Sequence, residues 1–213
     1  MSALSTLILG GSFDPPHIGH VEMARRAADL LQARRILVIP ARQSPLRDGK
    51  PGAPPEARLE LTRLAFAAER RAEVLSVEVD RPGASYTVDT LAQLQRAGRL
   101  SPDPALNRLL IGADQAVQFR NWRDWQGILR LATPAILPRT PWSVESLGDQ
   151  LRQQHANSGG PSGSTWATWI LPLPLAEPSA TAAREQIARG APTAGLLSPL
   201  VRTEIDRLGL YRV

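Results

Sequence analysis

The sequence predicts an α/β protein in which a Rossmann-like parallel sheet carries helices on both faces. Short apolar runs alternate with longer segments of helical periodicity, which is the pattern of repeated βαβ units. Of the 213 residues, 43% are hydrophobic and 21% charged, so the chain has enough apolar content for a substantial core. Because neither an interdomain linker nor an internal repeat is visible, we predict a single domain over residues 1–213.

Elements in the first part of the chain follow from the spacing of apolar residues. Continuous short apolar runs predict buried strands, and apolar residues that recur every third or fourth position predict helices. In chain order the predicted elements are strand Thr6–Gly10, helix Ile18–Leu31, strand Ile36–Pro40, helix Glu56–Glu69, strand Val74–Val79, helix Thr87–Gln95, and strands Arg108–Gly112 and Ala135–Pro138.

The second part of the chain is less regular, and its elements are predicted on the same grounds. Gly209 is well placed to end the last helix, because a glycine commonly follows a helix C-terminus. The predicted elements are helix Val144–Gln154, strand Thr168–Leu171, helix Ser179–Arg189 and helix Pro199–Leu208.

Two segments are predicted to be loops because their turn-forming residues prevent regular pairing. Residues 42–55 hold several prolines and glycines, and a long loop within a compact domain is often a lid or a binding segment. Residues 157–165 are rich in glycine and serine and are predicted to form a flexible insertion without chemistry.

Composition excludes several kinds of site. The sequence has no cysteine, which excludes disulfides, thiolate catalysis and Cys-ligated metals. No apolar stretch is long enough to span a membrane, and no basic region precedes an apolar one at the start, so we expect neither a membrane span nor a signal peptide and place the protein in the cytoplasm.

The net charge of +5 is carried almost entirely by arginine, since Lys50 is the only lysine. The arginines are scattered along the chain, without a basic tail or a stripe interleaved with aromatic residues. This distribution favours small phosphate-rich substrates over nucleic acid.

The glycine turn after the first strand is the most informative segment. Gly10 and Gly11 let backbone N–H groups approach an anion, and the following helix offers the positive end of its dipole. His17 and His20 lie three residues apart in the first turn of that helix, so both face one ligand. A glycine pair or a single capping histidine is common, but two of the chain's three histidines beside such a turn indicate a phosphate site.

The segment Gly10-Gly11-Ser12-Phe13-Asp14-Pro15-Pro16-His17-Ile18-Gly19-His20 resembles the HxGH motif of the nucleotidylyltransferase superfamily, in the form of the bacterial nicotinate-mononucleotide adenylyltransferases. The resemblance implies transfer of the AMP moiety of ATP, with His17 and His20 catalytic. It also implies ATP binding at the turn by Gly10, Gly11, Ser12, Phe13, His17 and His20, with Ser12 also contacting the mononucleotide.

A second segment, Ser85-Tyr86-Thr87, precedes a predicted helix. Ser85 or Thr87 can cap that helix by accepting from its first N–H groups. The segment is also similar to the family's SYT segment, which implies that backbone amides near Tyr86 and Thr87 receive the nicotinate carboxylate. A helix start suits a carboxylate as well as a cap.

Asp114 and Trp122 follow the strand that ends at Gly112. A carboxylate at the C-terminal edge of a strand can bind ribose hydroxyls, and Gly112-Ala113-Asp114 resembles the family's GAD segment. The resemblance implies that Gly112 and Asp114 contact ATP, that Asp114 also contacts the mononucleotide, and that Trp122 stacks on the pyridine ring. Trp125 is predicted to be a core anchor.

The segment from Ser179 to Arg184 resembles the family's ISSTxIR motif, although Ala180 replaces the usual second serine. The resemblance implies that Ser179, Thr181 and Arg184 contact the ATP triphosphate and that Arg184 is catalytic. Arg47, where the family has a Pro-His-Lys segment, is predicted to contact the mononucleotide phosphate. Arg58 is predicted to be either a surface arginine or a phosphate contact.

The resemblance implies an enzyme of NAD biosynthesis that makes nicotinate adenine dinucleotide and pyrophosphate from ATP and nicotinate mononucleotide. Mg²⁺ is expected to arrive with ATP, with no metal site in the protein, and no nucleic acid or membrane partner is expected. The alternatives are another HxGH adenylyl- or cytidylyltransferase, such as pantetheine-phosphate adenylyltransferase, or a noncatalytic nucleotide- or RNA-binding module.

Overall fold

The computed structural model describes residues 5–43, 52–155, 160–173 and 179–212. In these ranges, no helix combines the length and the apolar character that a membrane crossing requires. The predicted loop 42–55 falls largely outside them, and Arg47 lies outside them altogether.

The strands form one sheet of five strands within the described ranges, in the order β3-β2-β1-β4-β5. Strand β1 pairs in parallel with β4, starting from Thr6 opposite Asn107, and β4 pairs in parallel with β5. Strands β2 and β3 also pair in parallel. This order is that of a Rossmann-type sheet and confirms the predicted α/β class. The strands are β1 Thr6–Gly11, β2 Arg35–Pro40, β3 Ala72–Val74, β4 Asn107–Gly112 and β5 Thr133–Leu137.

The helices connect and follow these strands, and most begin within a few residues of the predicted positions. Ser143, Ser162, Ser179 and Ser198 each cap a helix by accepting a backbone N–H bond at the helix start. The α-helices are α1 Ile18–Leu30, α2 Pro55–Phe66, α3 Thr87–Arg96, α4 Ala113–Val117, α5 Trp125–Leu131, α6 Val144–Gln154, α7 Gly163–Thr168, α8 Ala180–Ala188 and α9 Pro199–Arg207.

By its internal contacts the chain divides into two compact units, each made of several segments. Unit 1 comprises Met1–Leu9, Arg26–Arg34 and Tyr86–Ala176, and unit 2 comprises Gly10–Arg25, Arg35–Ser85 and Glu177–Val213. The predicted single domain over 1–213 stays a prediction.

The two units have different cores. In unit 2, helices α2, α8 and α9 pack through a buried apolar cluster, formed by Leu61, Ala183, Ile187, Leu197, Val201 and Ile205. In unit 1, the fully buried Trp166 is stacked on His155 and packs edge-on against Phe119. Burial of such aromatic surface stabilises this unit.

Two predicted strands differ from the structure. The strand expected over Val74–Val79 lies instead at Ala72–Val74, because a turn follows in which the backbone N–H of Asp80 donates to the Ser76 carbonyl at 2.8 Å. The strand expected over Thr168–Leu171 is replaced by the end of α7, followed by a single parallel bridge between Ile170 and Ile136.

The predicted insertion 157–165 is helical over its last three residues, which open α7. Gly163 is buried directly against the backbone of Arg152, where a β-carbon has no room. Close helix packing rather than loop flexibility therefore explains this glycine. Residues 156–159 lie outside the described ranges.

Candidate active site

The glycine turn at the end of β1 is shaped by one aromatic ring. Phe13 is buried and has a left-handed backbone (φ 47°), and its ring lies where a β-carbon on Gly11 would approach to 3.2 Å. A side chain at position 11 would therefore have to displace the Phe13 ring. At Gly10 a β-carbon would meet nothing within 4 Å, so this backbone is open to an approaching group.

The two histidines of the turn are stacked on each other. Their ring centroids are 3.6 Å apart with planes inclined by 25°. The backbone N–H of His17 donates to Nδ1 of His20 at 3.1 Å, and the backbone N–H of His20 donates to Nδ1 of His17 at 3.3 Å. A neutral imidazole that accepts at Nδ1 carries its proton on Nε2. While neutral, both rings therefore carry their proton on Nε2.

The Phe13 ring also packs against the histidine pair. Phe13 meets the ring of His20 edge-on, at 5.0 Å between centroids, and Phe66 of α2 packs edge-on against Phe13 at 6.4 Å. The orientation of His20 is thus fixed by both hydrogen bonding and packing.

Asp14 is buried in the centre of the turn and accepts bonds from other elements of unit 2. Its carboxylate accepts from the Tyr211 hydroxyl at 2.8 Å and from the backbone N–H groups of Gly52 and Ala53 at 2.8 and 3.1 Å. Arg184 donates to the backbone carbonyl of Asp14 at 2.6 Å. Asp14 therefore ties the glycine turn to α8 and to the end of the chain.

Helix α8 presents the predicted triphosphate residues at its N-terminus. Ser179 caps it, its hydroxyl accepting from the N–H of Ala182 at 3.0 Å. Arg184 also donates to the Thr181 hydroxyl at 3.2 Å. The structure thus brings Arg184 to the same turn as the two histidines, whereas the Ser179 hydroxyl already has a structural role as the cap.

Arg58 is fully buried, so the prediction of a surface arginine is wrong. Its guanidinium donates to four backbone carbonyls, those of Ser12, Ala41, Arg42 and Ala53. A fork of rigid donors suits such a convergence of acceptors. Arg58 holds three chain segments of unit 2 together.

Unit 1 holds the residues predicted to bind the pyridine half of the substrate. Helix α3 begins after Tyr86, and no side chain caps it. The prediction that Ser85 or Thr87 caps this helix is therefore wrong. The buried Ser85 hydroxyl has no hydrogen-bond partner among the described residues, and Thr87 is the first helical residue. Helix N–H groups without a side-chain cap form a positive site for a carboxylate.

Arg123 adds a cation beside this helix start. Its guanidinium lies 4.7 Å from the centre of the Tyr86 ring and 3.6 Å from the carboxylate of Asp89. Sequence reasoning did not single it out, because a lone exposed arginine gives no signal by itself.

The structure places Trp122 against another aromatic ring and Asp114 in a helix. Trp122 is partly buried and stacked on Phe119, with 5.0 Å between ring centroids. Asp114 is exposed in the first turn of α4 rather than at the end of a strand, and one carboxylate oxygen lies 2.7 Å from where a β-carbon on Gly112 would stand. Trp125 is only partly buried, so Trp166 rather than Trp125 anchors the core.

Comparison with known proteins identifies the family. The cytidylyltransferase-like family model matches residues 8–186. A probable nicotinate-nucleotide adenylyltransferase of Chromobacterium violaceum is 36% identical over 209 residues, 96% of this chain and 97% of that protein. One from a Roseiflexus species is 34% identical over 216 residues, 100% of both chains. The chain belongs to the nicotinate-nucleotide adenylyltransferase family.

A solved structure agrees with this family at the level of the fold. Plasmodium falciparum nicotinic acid mononucleotide adenylyltransferase complexed with NaAD superimposes with a TM-score of 0.71 at 15% identity, over 98% of this chain and 97% of that one. As a member of the nicotinate-nucleotide adenylyltransferase family, the chain is a nucleotidyltransferase.

The described residues include no group of three or more His, Cys, Asp or Glu side chains that could hold a metal ion. The Asp14 carboxylate is already engaged by three donors. Burial and the nearby Asp14 carboxylate raise the pKa of Tyr211, so its hydroxyl stays protonated and donating.

Proposed function

We propose that this protein transfers AMP from ATP to nicotinate mononucleotide, forming nicotinate adenine dinucleotide and pyrophosphate in NAD biosynthesis in the cytoplasm. One observation carries the proposal: His17 and His20 are stacked at the glycine turn with both Nδ1 atoms accepting backbone N–H bonds, and Arg184 is tied to the same turn. Family membership makes nicotinate mononucleotide the acceptor to test first.

The reaction needs no protein nucleophile. A phosphate oxygen of nicotinate mononucleotide attacks the α-phosphorus of ATP, a new P–O bond forms, and the bond from that phosphorus to the bridging oxygen of the β-phosphate breaks. The electron pair leaves with pyrophosphate. Because the attacking phosphate is already anionic at neutral pH, the protein has to align the reactants and stabilise the charge that develops.

In this proposal the residues of unit 2 act on the phosphates. His17 and His20 donate Nε2–H bonds to the phosphate oxygens, and Arg184 supplies a fixed positive charge. Gly10, Gly11, Ser12 and Phe13 offer the turn backbone, and Thr181 accompanies Arg184. Mg²⁺ bound to ATP would neutralise phosphate charge. Since Asp14 is engaged elsewhere, we assign no protein ligand to that ion.

In unit 1 the proposal assigns the pyridine ring and its carboxylate. The N-terminus of α3 at Tyr86 and Thr87 receives the carboxylate, because no side chain occupies its first N–H groups. Trp122 stacks on the ring, and Gly112 and Asp114 contact the nucleotide portions.

A pyrophosphate-release assay with ATP and several acceptors tests the function. Turnover with nicotinate mononucleotide and not with pantetheine phosphate supports the proposal. Turnover with pantetheine phosphate, or with CTP in place of ATP, would reassign the reaction within the wider superfamily. Nucleotide binding without release of pyrophosphate from any acceptor would indicate a binding module.

A further inference from the structure

Tyr211, at the end of the chain, adopts a conformation that needs an explanation. Its backbone lies in the left-handed region (φ 61°), which is unfavourable for a non-glycine residue. Gly209 also has positive φ (62°) and turns the chain after α9. Strain of this kind persists only where surrounding contacts hold the residue in place.

Tyr211 contacts Asp14 of the glycine turn and Gly52, which is itself bonded to Asp14. Its hydroxyl donates to the Asp14 carboxylate at 2.8 Å, a bond between residues 197 positions apart in sequence. Its ring lies against Gly52, where a β-carbon would come within 3.2 Å of a ring carbon. Gly52 in turn donates its N–H to the other oxygen of Asp14.

Asp14 connects this tyrosine to Arg184. The arginine donates to the Asp14 carbonyl at 2.6 Å, and the same nitrogen lies 4.0 Å from the Asp14 carboxylate. Asp14 is only 4% exposed, so water does not replace a lost partner easily. Asp14 thus links the Tyr211 hydroxyl to the Arg184 guanidinium.

We propose that Tyr211 is a positioning residue that holds Arg184 in its phosphate-binding orientation through Asp14. This inference rests on the proposed role of Arg184 as a ligand of the ATP phosphates. It gives the segment after α9 a part in ATP binding, although Tyr211 need not touch ATP.

A purely structural Tyr211 would behave differently. Tyr211 also packs against the apolar cluster of α2, α8 and α9. If packing were its whole role, removing the hydroxyl would leave ATP affinity unchanged, since the ring remains. Tyr211→Phe therefore separates the two roles, and it keeps the ring against Gly52.

The test is a double-mutant cycle on ATP affinity, measured by calorimetry without an acceptor. We expect Tyr211→Phe to weaken ATP binding about tenfold in the wild-type background and less than about twofold in an Arg184→Ala background. Ile205→Val, which trims the same cluster without touching Asp14, is the stability control and should bind ATP like the wild type. Thermal melts verify that each variant is folded.

Equal loss of ATP affinity from Tyr211→Phe in both backgrounds, or no loss in either, would overturn the proposal. Turnover of nicotinate mononucleotide by the wild type is measured separately. If the wild type binds ATP but makes no dinucleotide, the proposed function fails while the cycle still decides the role of Tyr211. If Arg184→Ala leaves ATP affinity intact, the positioning role is overturned.

Discussion

Each histidine of the glycine turn has one ring nitrogen already engaged by a backbone N–H group, and this fixes what the other nitrogen can do. His17 and His20 accept at Nδ1, so they can only donate from Nε2 while neutral. The arrangement separates two functions that one protonated histidine would combine. In the proposed reaction the rings supply hydrogen-bond donors and Arg184 supplies the positive charge.

Substitutions that mimic one ring nitrogen at a time test whether the histidines act as hydrogen-bond donors from Nε2. Replacing His17 or His20 by Ala should lower kcat/KM for ATP by about 2–4 kcal/mol of transition-state stabilisation. Gln places an amide N–H near the Nε2 position and should retain more activity than Asn, whose amide lies near Nδ1. Steady-state kinetics measure this, with Arg25→Gln on the exposed side of α1 as a control. Greater activity in Asn than in Gln variants would contradict the assigned tautomers.

His155 has no predicted catalytic role, but its burial makes the stability of the protein depend on pH. It is buried and stacked on Trp166, and burial, with a smaller effect of Arg120, lowers its pKa from 6.5 to about 4. The folded protein therefore keeps this ring neutral between these pH values, while the unfolded chain binds a proton. Its contribution to stability is complete above about pH 6.5 and is lost as the pH falls toward 4.

We therefore expect the unfolding free energy to fall as the pH is lowered, and we expect a phenylalanine in place of His155 to reduce this fall. Between about pH 6.5 and about pH 4, protonation of His155 in the unfolded chain should lower the unfolding free energy by up to about 1.4 kcal/mol per pH unit. His155→Phe keeps a ring on Trp166 and should show a smaller loss between about pH 7 and about pH 4.5. Urea denaturation at both pH values measures the difference. Parallel losses in wild type and variant would show that other groups are responsible.

At the residue scale, sequence predicted the contributors to the turn better than their partners. Gly10, His17 and His20 are recognisable because glycine and histidine in one short segment have a local meaning. The contact of Asp14 with Tyr211 has no local signature, since 197 positions separate them. Arg58 was ambiguous for the same reason: its acceptors are backbone carbonyls, which every residue has.

Among the secondary-structure elements, α2 is attached to the turn by Arg58, and we expect this attachment to dominate local stability. Arg58→Leu would leave four backbone carbonyls without this donor, one of them buried and three part-buried, and an unsatisfied buried group costs about 1–3 kcal/mol. A loss of at least about 3 kcal/mol in unfolding free energy is expected from chemical denaturation. Arg63→Leu, on the exposed side of the same helix, should change stability by less than about 0.5 kcal/mol. Similar losses for both variants would contradict the role of Arg58.

The segment that follows β4 carries a second element-scale prediction. Trp122→Ala should raise KM for nicotinate mononucleotide far more than KM for ATP, because only one substrate loses a stacking partner. Trp122→Phe keeps an aromatic face and should lie between the wild type and Ala. Because Trp122 also stacks on Phe119, a melt accompanies the kinetics. Equal rises in both KM values would indicate a disturbed core rather than a lost substrate contact.

Elements with strong periodicity were predicted nearly to the residue, and weakly patterned ones were not. Helix α1 was expected over 18–31 and spans 18–30, because its apolar face is continuous. Helix α7 was missed, since its glycines and serines resemble a linker until the close packing of Gly163 on Arg152 is known. Packing between distant segments, rather than local preference, decided such cases.

At the scale of the whole molecule, the sheet order and the family identity both support a nucleotide site at the glycine turn. The β3-β2-β1-β4-β5 order places the glycine turn after the central strand, where sheets of this type commonly bind nucleotides. The histidine turn with Arg184 belongs to unit 2, and the α3 start with Trp122 belongs to unit 1.

The central claim is that the protein joins AMP to nicotinate mononucleotide and selects the acid over the amide. Nicotinamide mononucleotide would bring N–H donors to the N–H groups of the α3 start, losing charge-assisted hydrogen bonds and leaving donors unpaired, at about 1–3 kcal/mol each. Competition of the two mononucleotides at fixed ATP, with both dinucleotide products quantified, gives the ratio of kcat/KM directly. We predict at least about tenfold preference for nicotinate mononucleotide. A ratio near unity, or no dinucleotide from either, would contradict the account.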